Sequence, residues 1–145
     1  MAFRLTSSAF ADGAAIPSDY TCDGADLRPP LAWSGAPPET AEFALVMDDP
    51  DARGFVHWVV VGIPADATSL GERLPAGAHE GRTDFGRVGY GGPCPPSGTH
   101  RYVTMLYALS EPLGLSGSVS ALDVRRAAQG ETLATAVLTG TYRRR

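Results

Sequence analysis

The sequence predicts a mainly β fold: one antiparallel β-sandwich spanning residues 1–145, with one or two peripheral helices. Three observations carry this. Short apolar runs recur between turn residues drawn from 17 glycines and 12 prolines that follow no period. The runs do not alternate with helical segments, which disfavours a doubly wound parallel sheet. With 145 residues, 43% apolar and 19% charged, the chain suits one packed core and is too apolar for disorder.

The elements follow in order. Phe3-Arg4-Leu5-Thr6 reads as a short first strand. Residues 12–36 read mostly as loop, with turn signals at Ile16-Pro17, Cys22-Asp23-Gly24, Arg28-Pro29-Pro30 and Ser34-Gly35, and with Trp33 as the anchor to the core. Phe43 to Met47 is an unbroken apolar run, expected as a buried strand. It leads into the acidic turn Asp48-Asp49-Pro50-Asp51. Phe55 to Ile63 is the next strand, and strict alternation places Phe55, His57, Val59 and Val61 on one face. Residues 68–90 are glycine-rich and read as irregular, with His79 on a polar surface loop. Arg101 to Leu109 is the third clear strand. Ser120 to Gln129 is the best helix: Ser120 and Asp123 have capping-box spacing, and Gly130 is the stop. Its modest apolar positions, Ala121, Leu122, Val124 and Ala128, suit the edge of the domain. Thr132 to Tyr142 is a last strand, or, around Leu133-Ala134, an extension of the helix.

Charge and composition exclude several classes. A net charge of −4 and a pI near 5.2 disfavour a nucleic-acid partner. Arg143-Arg144-Arg145 reads as a solvated tail. All 12 basic residues are arginine, with no lysine or asparagine and only Ile16 and Ile63 as isoleucines. A GC-rich genome accounts for that bias, so the arginines are not evidence of phosphate recognition. No run approaches the roughly 20 apolar residues of a membrane span, so integral membrane association is not expected. No apolar signal-peptide core follows Arg4, and a cytoplasmic location is the default. There, Cys22 and Cys94 are expected as two reduced thiols; in an exported chain they can pair.

Two strand histidines are the main chemical signal. A histidine among valines must have its ring nitrogens satisfied. His57 is therefore either a core histidine bonded to backbone carbonyls or a site residue held by the preceding acidic turn. In the second reading, one carboxylate of that turn orients His57 and raises its pKa, while another caps the turn, with Pro50 stiffening it. The run from Gly91 to Gly98 is a glycine-proline loop that delivers directly into His100 and Tyr102. Its glycines let backbone N–H groups form a concave anion nest, unless it is only a rigid connector.

Together these segments resemble the phosphatidylethanolamine-binding protein family, and most of all its short bacterial, Raf-kinase-inhibitor-like branch. The matching stretches are Asp49-Pro50-Asp51-Ala52, His57-Trp58-Val59-Val60, Asp84-Phe85-Gly86, Gly89 to Pro96 and His100-Arg101-Tyr102, together with Tyr20 to Gly24, Pro29 to Trp33 and Leu138 to Tyr142. The resemblance implies a phosphatidylethanolamine-binding-protein-like β-sandwich with a small pocket for phosphate-like anions, including phospholipid head groups. It implies ligand-binding roles for Asp49, Asp51, His57, Gly92, Pro93, His100 and Tyr102, and a homodimer. Three departures stand out. Arg53 replaces a proline after Asp-Pro-Asp-Ala, the connection from Asp51 to Phe55 is short, and Gly130-Glu131 stands where Gly-His is common. The function expected is binding of a small anion or phosphorylated ligand, possible regulation through a protein partner included. No catalytic residue, metal or cofactor is assigned. The alternative is a hydrolase at the same pocket, using a metal held by His57, His100 and Asp49, or Cys94 as nucleophile.

Overall fold

We describe the protein from a computed structural model, which describes residues 2–144. Two antiparallel sheets face each other. The smaller has the order β1-β2-β5, from Arg4–Thr6 (β1), Leu31–Ser34 (β2) and Ser69–Leu70 (β5). The larger has the order β6-β4-β3-β7-β8, from Glu42–Asp49 (β3), Phe55–Pro64 (β4), His79–Glu80 (β6), His100–Leu109 (β7) and Thr132–Tyr142 (β8). The mainly β sandwich is thus the observed fold, and the three strongest strand expectations match within two residues. Three assignments change, and one alternative left open is decided. Leu31–Ser34 is a strand, and Trp33 is buried within it against Phe43, not in a loop. Ser69–Leu70 and His79–Glu80 pair within the stretch expected to be irregular. His79 is half-buried, with Nε2 enclosed and without a hydrogen-bond partner, so it is not a surface histidine. Thr132–Tyr142 is strand throughout, pairing with β7 over its length.

The main core lies between the sheets. Leu5, Leu31, Trp33 and Leu70 come from the small sheet, and Phe43, Leu45, Trp58, Val60, Leu106 and Leu138 from the large one. A second apolar layer covers the other face of the large sheet. There the helix α1, Ala121–Ala128, packs Ala121, Val124 and Ala128 over Ala44, Val46, Val56, Val59 and Val61. This is why β3 and β4 read as continuous apolar runs: both faces are buried, as in sheets covered on two sides. The helix therefore covers a sheet face and is not confined to the domain edge. Its capping box forms as the spacing predicts, with Asp123 N–H donating to Ser120 Oγ at 3.1 Å and Ser120 N–H to Asp123 Oδ2 at 2.9 Å. Gly130, at φ 79°, follows its end.

Cys22 and Cys94 are joined by a disulfide across 72 residues of sequence. The expectation of two reduced thiols gives way to this pairing, which the fold makes possible by bringing their Cα atoms to 5.4 Å. Arg144 returns to the body of the protein, its Nε 3.2 Å from Asp23 Oδ1. Among the described residues Arg143 has no such pairing, and Arg145 lies outside them.

Candidate functional site

The site is built where β4 and β7 leave the sheet beside the acidic turn. β3 and β4 pair as Met47↔Trp58 and then Asp48↔Val56, which leaves His57 without a partner. This bulge breaks the alternation read from the sequence. Val59 and Val61 point to the helix layer, whereas His57 sets its ring edge-on to Tyr102, at 5.2 Å between centroids. Bulges re-aim side chains in this way beside functional sites.

His57 is 4% exposed, and its Nδ1–H donates to the Gly91 carbonyl at 2.7 Å. An unsatisfied polar group at this depth costs about 1–3 kcal/mol, so the bond fixes the tautomer. Burial drives the His57 pKa below its ordinary value, against the opposing pull of the Gly91 carbonyl and the more distant Asp49. The expectation of a raised pKa is thereby corrected. So is the expectation that an acidic-turn carboxylate holds His57: a backbone carbonyl holds it.

Asp49 serves the other histidine. It is 2% exposed; its Oδ2 accepts from His100 Nδ1–H at 2.6 Å, and its Oδ1 accepts from the Asp51 N–H at 2.8 Å. One carboxylate thus caps its own turn and orients His100, the first residue of the neighbouring strand β7. Antiparallel pairing of β3 with β7 brings the two segments together despite a separation of 51 residues. Both imidazoles therefore commit Nδ1. Neither Nε2 has a hydrogen-bond partner among the described residues.

Asp49, Ala52, Phe55, His57, Phe85, Cys94, Pro95, Pro96, His100 and Tyr102 enclose a cavity of about 180 Å³. That is below the roughly 300–1,000 Å³ of pockets that enclose drug-sized ligands, which fits a group of few atoms. Tyr102 is buried beneath it. Burial first, and then the Asp49 charge, push its phenol far above the ordinary range, so it stays protonated as a donor. Phe55 and Phe85 form an aromatic rim, and the Arg87 guanidinium stacks 5.1 Å from the centre of the Phe85 ring. Three larger clefts are open to the surface, about 1040 Å³ beside Asp23 and Tyr142, about 750 Å³ beside Leu31 and Ser69, and about 380 Å³ beside Phe3 and Ala134. None gathers a buried titratable group, so the chemistry selects the smaller cavity.

Four of the seven expected ligand-binding residues, Asp49, His57, His100 and Tyr102, line this cavity. Three do not. Asp51 accepts from the Arg101 backbone N–H at 2.8 Å and from its guanidinium at 2.9 and 3.1 Å, which ties the turn to β7. Those bonds from Arg101 hold the Asp51 carboxyl down at about 2. Gly92 does not offer its N–H to the cavity, because that group donates to Asp26 Oδ1 at 2.8 Å. The glycine is needed there because a Cβ would collide with the Tyr20 carbonyl and the Asp26 carboxylate. Pro93 accepts the Cys22 N–H through its carbonyl and stands behind the wall. Sequence reasoning missed Ala52, Phe55, Phe85, Pro95 and Pro96 as lining residues. Phe85, an aromatic residue in a glycine-rich loop, was the available signal.

Arg53 adopts the left-handed conformation, φ 57°, and no peptide bond among the described residues is cis. The turn thus accommodates the absent proline by two successive positive-φ residues, Arg53 and Gly54. Arg53 is exposed, outside the cavity lining. The metal-hydrolase alternative finds no cluster of three or more His, Cys, Asp or Glu suited to a metal among the described residues. Its thiol version loses the nucleophile to the disulfide.

The profile of the family described as phosphatidylethanolamine-binding protein matches residues 6–143. The chain is 49% identical to the UPF0098 protein of Methanothermobacter thermautotrophicus, over 97% of this chain and 99% of that one. It is 46% identical to LppC of Mycobacterium tuberculosis, a protein with lipoprotein in its name, over 95% of this chain and 71% of that one. Two crystal structures are closely similar, each at 35% identity and 99% coverage of both chains: a phosphatidylethanolamine-binding protein homologue of Chlamydia trachomatis, with a TM-score of 0.94, and YbcL of E. coli, with 0.90. The strand order, the acidic turn and the paired histidines, taken with a match along nearly the whole chain, place this protein in the phosphatidylethanolamine-binding protein family.

Proposed function

We propose that the cavity binds a small phosphate-like anion or the phosphorylated end of a larger molecule. One observation carries this reading: His57 and His100 commit Nδ1 to fixed partners, which leaves two Nε2 atoms and the Tyr102 hydroxyl to serve one cavity of about 180 Å³. The protons decide the mode of binding. With Nδ1–H committed, a neutral His57 offers a lone pair at Nε2, which repels an unprotonated anion oxygen. Binding therefore brings a proton, either on the ligand as P–OH or on His57 as imidazolium. The affinity is full below the pKa of free His57 and falls as pH rises from there toward the higher pKa of the complex.

Calorimetry with inorganic phosphate and phosphoethanolamine at about pH 6 and about pH 8 tests this. Tighter binding at the lower pH is expected, with a heat that depends on buffer ionisation because a proton is taken up. His57→Asn and His100→Ala should each weaken binding by about 10- to 100-fold, the loss of a hydrogen bond to a charged group. Folded protein that gives no heat with either ligand at either pH overturns the reading.

The disulfide bears on location. Such bonds persist in oxidising compartments, and a 46% identical relative is named a lipoprotein. No helix among the described residues is long and apolar enough to cross a membrane. We place the working protein outside the reducing cytosol; expression with intact thiols in cells, measured by alkylation before lysis, would refute that placement.

A further inference from the structure

Resting on the anion-binding reading, we infer that the Cys22–Cys94 disulfide and the cavity are thermodynamically coupled. An anion in the cavity and a Cys94 thiolate at its wall exclude each other, so ligand binding resists reduction and reduction weakens ligand binding.

The bond sits on the site. Cys94 lines the cavity beside His57 and His100, and its backbone lies against the Tyr102 hydroxyl. The other end differs: Cys22 is exposed, on the strap of residues 20–26 that crosses behind the loop. Three contacts hold strap to loop besides the disulfide: Cys22 N–H to the Pro93 carbonyl at 3.1 Å, Gly92 N–H to Asp26 Oδ1 at 2.8 Å, and the Tyr90 hydroxyl to the Tyr20 carbonyl at 2.7 Å. The wall therefore keeps its place when the S–S bond opens, and the released sulfur stays at the cavity.

The unequal exposure sets the order of events. A low-molecular-weight thiolate attacks Sγ of Cys22, the sulfur on the more exposed residue. A new S–S bond forms there, the protein bond breaks, and its electron pair leaves on Cys94 as thiolate. A second thiol then attacks the mixed disulfide and frees Cys22. In sum, two reductant thiols become one disulfide and release two protons; the protein disulfide gains two electrons, Cys22 takes one proton, and the other passes to solvent while Cys94 stays thiolate. The leaving group matters, since a better-stabilised thiolate leaves faster. Here the thiolate emerges beside two imidazoles and a phenol, the groups proposed to hold the ligand. Asp49 and Asp26 already place two carboxylates around these rings, so a second anion meets added repulsion. Linkage requires the effect to be reciprocal.

The probe is inorganic phosphate. In Cys22→Ser, Cys94 is the remaining thiol. Saturating phosphate should slow its alkylation by iodoacetamide by about tenfold or more. Cys22, the remaining thiol in Cys94→Ser, should react at an unchanged rate. Wild type needs no substitution: phosphate should slow its reduction by dithiothreitol, and the reduced protein should bind phosphate about tenfold more weakly, near 1.4 kcal/mol. If wild type binds phosphate by calorimetry yet neither alkylation nor reduction responds, the coupling is wrong and the binding reading stands. If wild type does not bind phosphate, both fall.

Discussion

Single residues show where local pattern informs and where it stops. His57 and His100 were legible because an ionisable ring in an apolar strand needs a reason. Their partners were not, because the bulge at His57 and the 51-residue gap from Asp49 to His100 belong to tertiary register. Gly92 was legible as a required glycine, yet the requirement is the close approach of Tyr20 and Asp26, not an anion nest. Arg53 gives the sharpest test. Its left-handed backbone costs about 1–2 kcal/mol for an ordinary L-residue, whereas asparagine tolerates it. Arg53→Asn should therefore raise stability by up to about 1 kcal/mol. Arg53→Pro restores the residue common in the resembling branch but demands φ near −65°. It should cost more than about 1 kcal/mol. Urea midpoints measure both, and a tolerated proline would show that the turn is not held at φ 57°.

Among elements, long apolar runs and the capping box were readable, because burial on both sheet faces and the spacing from Ser120 to Asp123 are local facts. The two-residue strands β5 and β6 were not, since two residues carry no period. β2 was hidden between Pro29-Pro30 and Ser34-Gly35, turn signals that outweighed the alternation of Leu31 and Trp33. The helix allows stability to be separated from binding. It packs on the face formed with Val56, Val59 and Val61, whereas Tyr102, beneath the cavity, belongs to the core between the sheets. Ser120→Ala removes one half of the capping box and should cost about 1 kcal/mol of stability. Phosphate affinity should not change. A variant equally stable by urea unfolding, or one that binds phosphate differently, would mean the helix is not set on the sheet as described.

At the scale of the whole molecule, depressed pKa values at His57, Asp51, Glu80 and Asp123 tie the fold to pH, and the first two belong to the site and its turn. Burial keeps His57 neutral in the folded protein below the pH at which it takes a proton when unfolded. Between its unfolded pKa, near 6.5, and its lower folded pKa, the unfolded chain holds the extra proton, so stability falls as pH falls. Asp51 is also depressed, to about 2, by Arg101. Its contribution is present above about 3.8 and is lost as pH falls toward 2. On acidification below about pH 6.5, stability is thus expected to decline through His57 first and through the depressed carboxylates afterwards. The slope owed to His57 cannot exceed about 1.4 kcal/mol per pH unit, the value for one proton. His57→Asn keeps a donor for the Gly91 carbonyl but cannot titrate. Urea unfolding of both proteins between about pH 8 and about pH 5 isolates the term, because other groups contribute equally to each. The variant should be less stable overall, yet lose less on acidification than wild type. Bound phosphate should flatten the wild-type decline as well, since a ligand that carries or induces the His57 proton reverses the cost of that proton. Parallel pH profiles for wild type and variant would remove His57 as the group through which acidity acts on both the fold and the cavity.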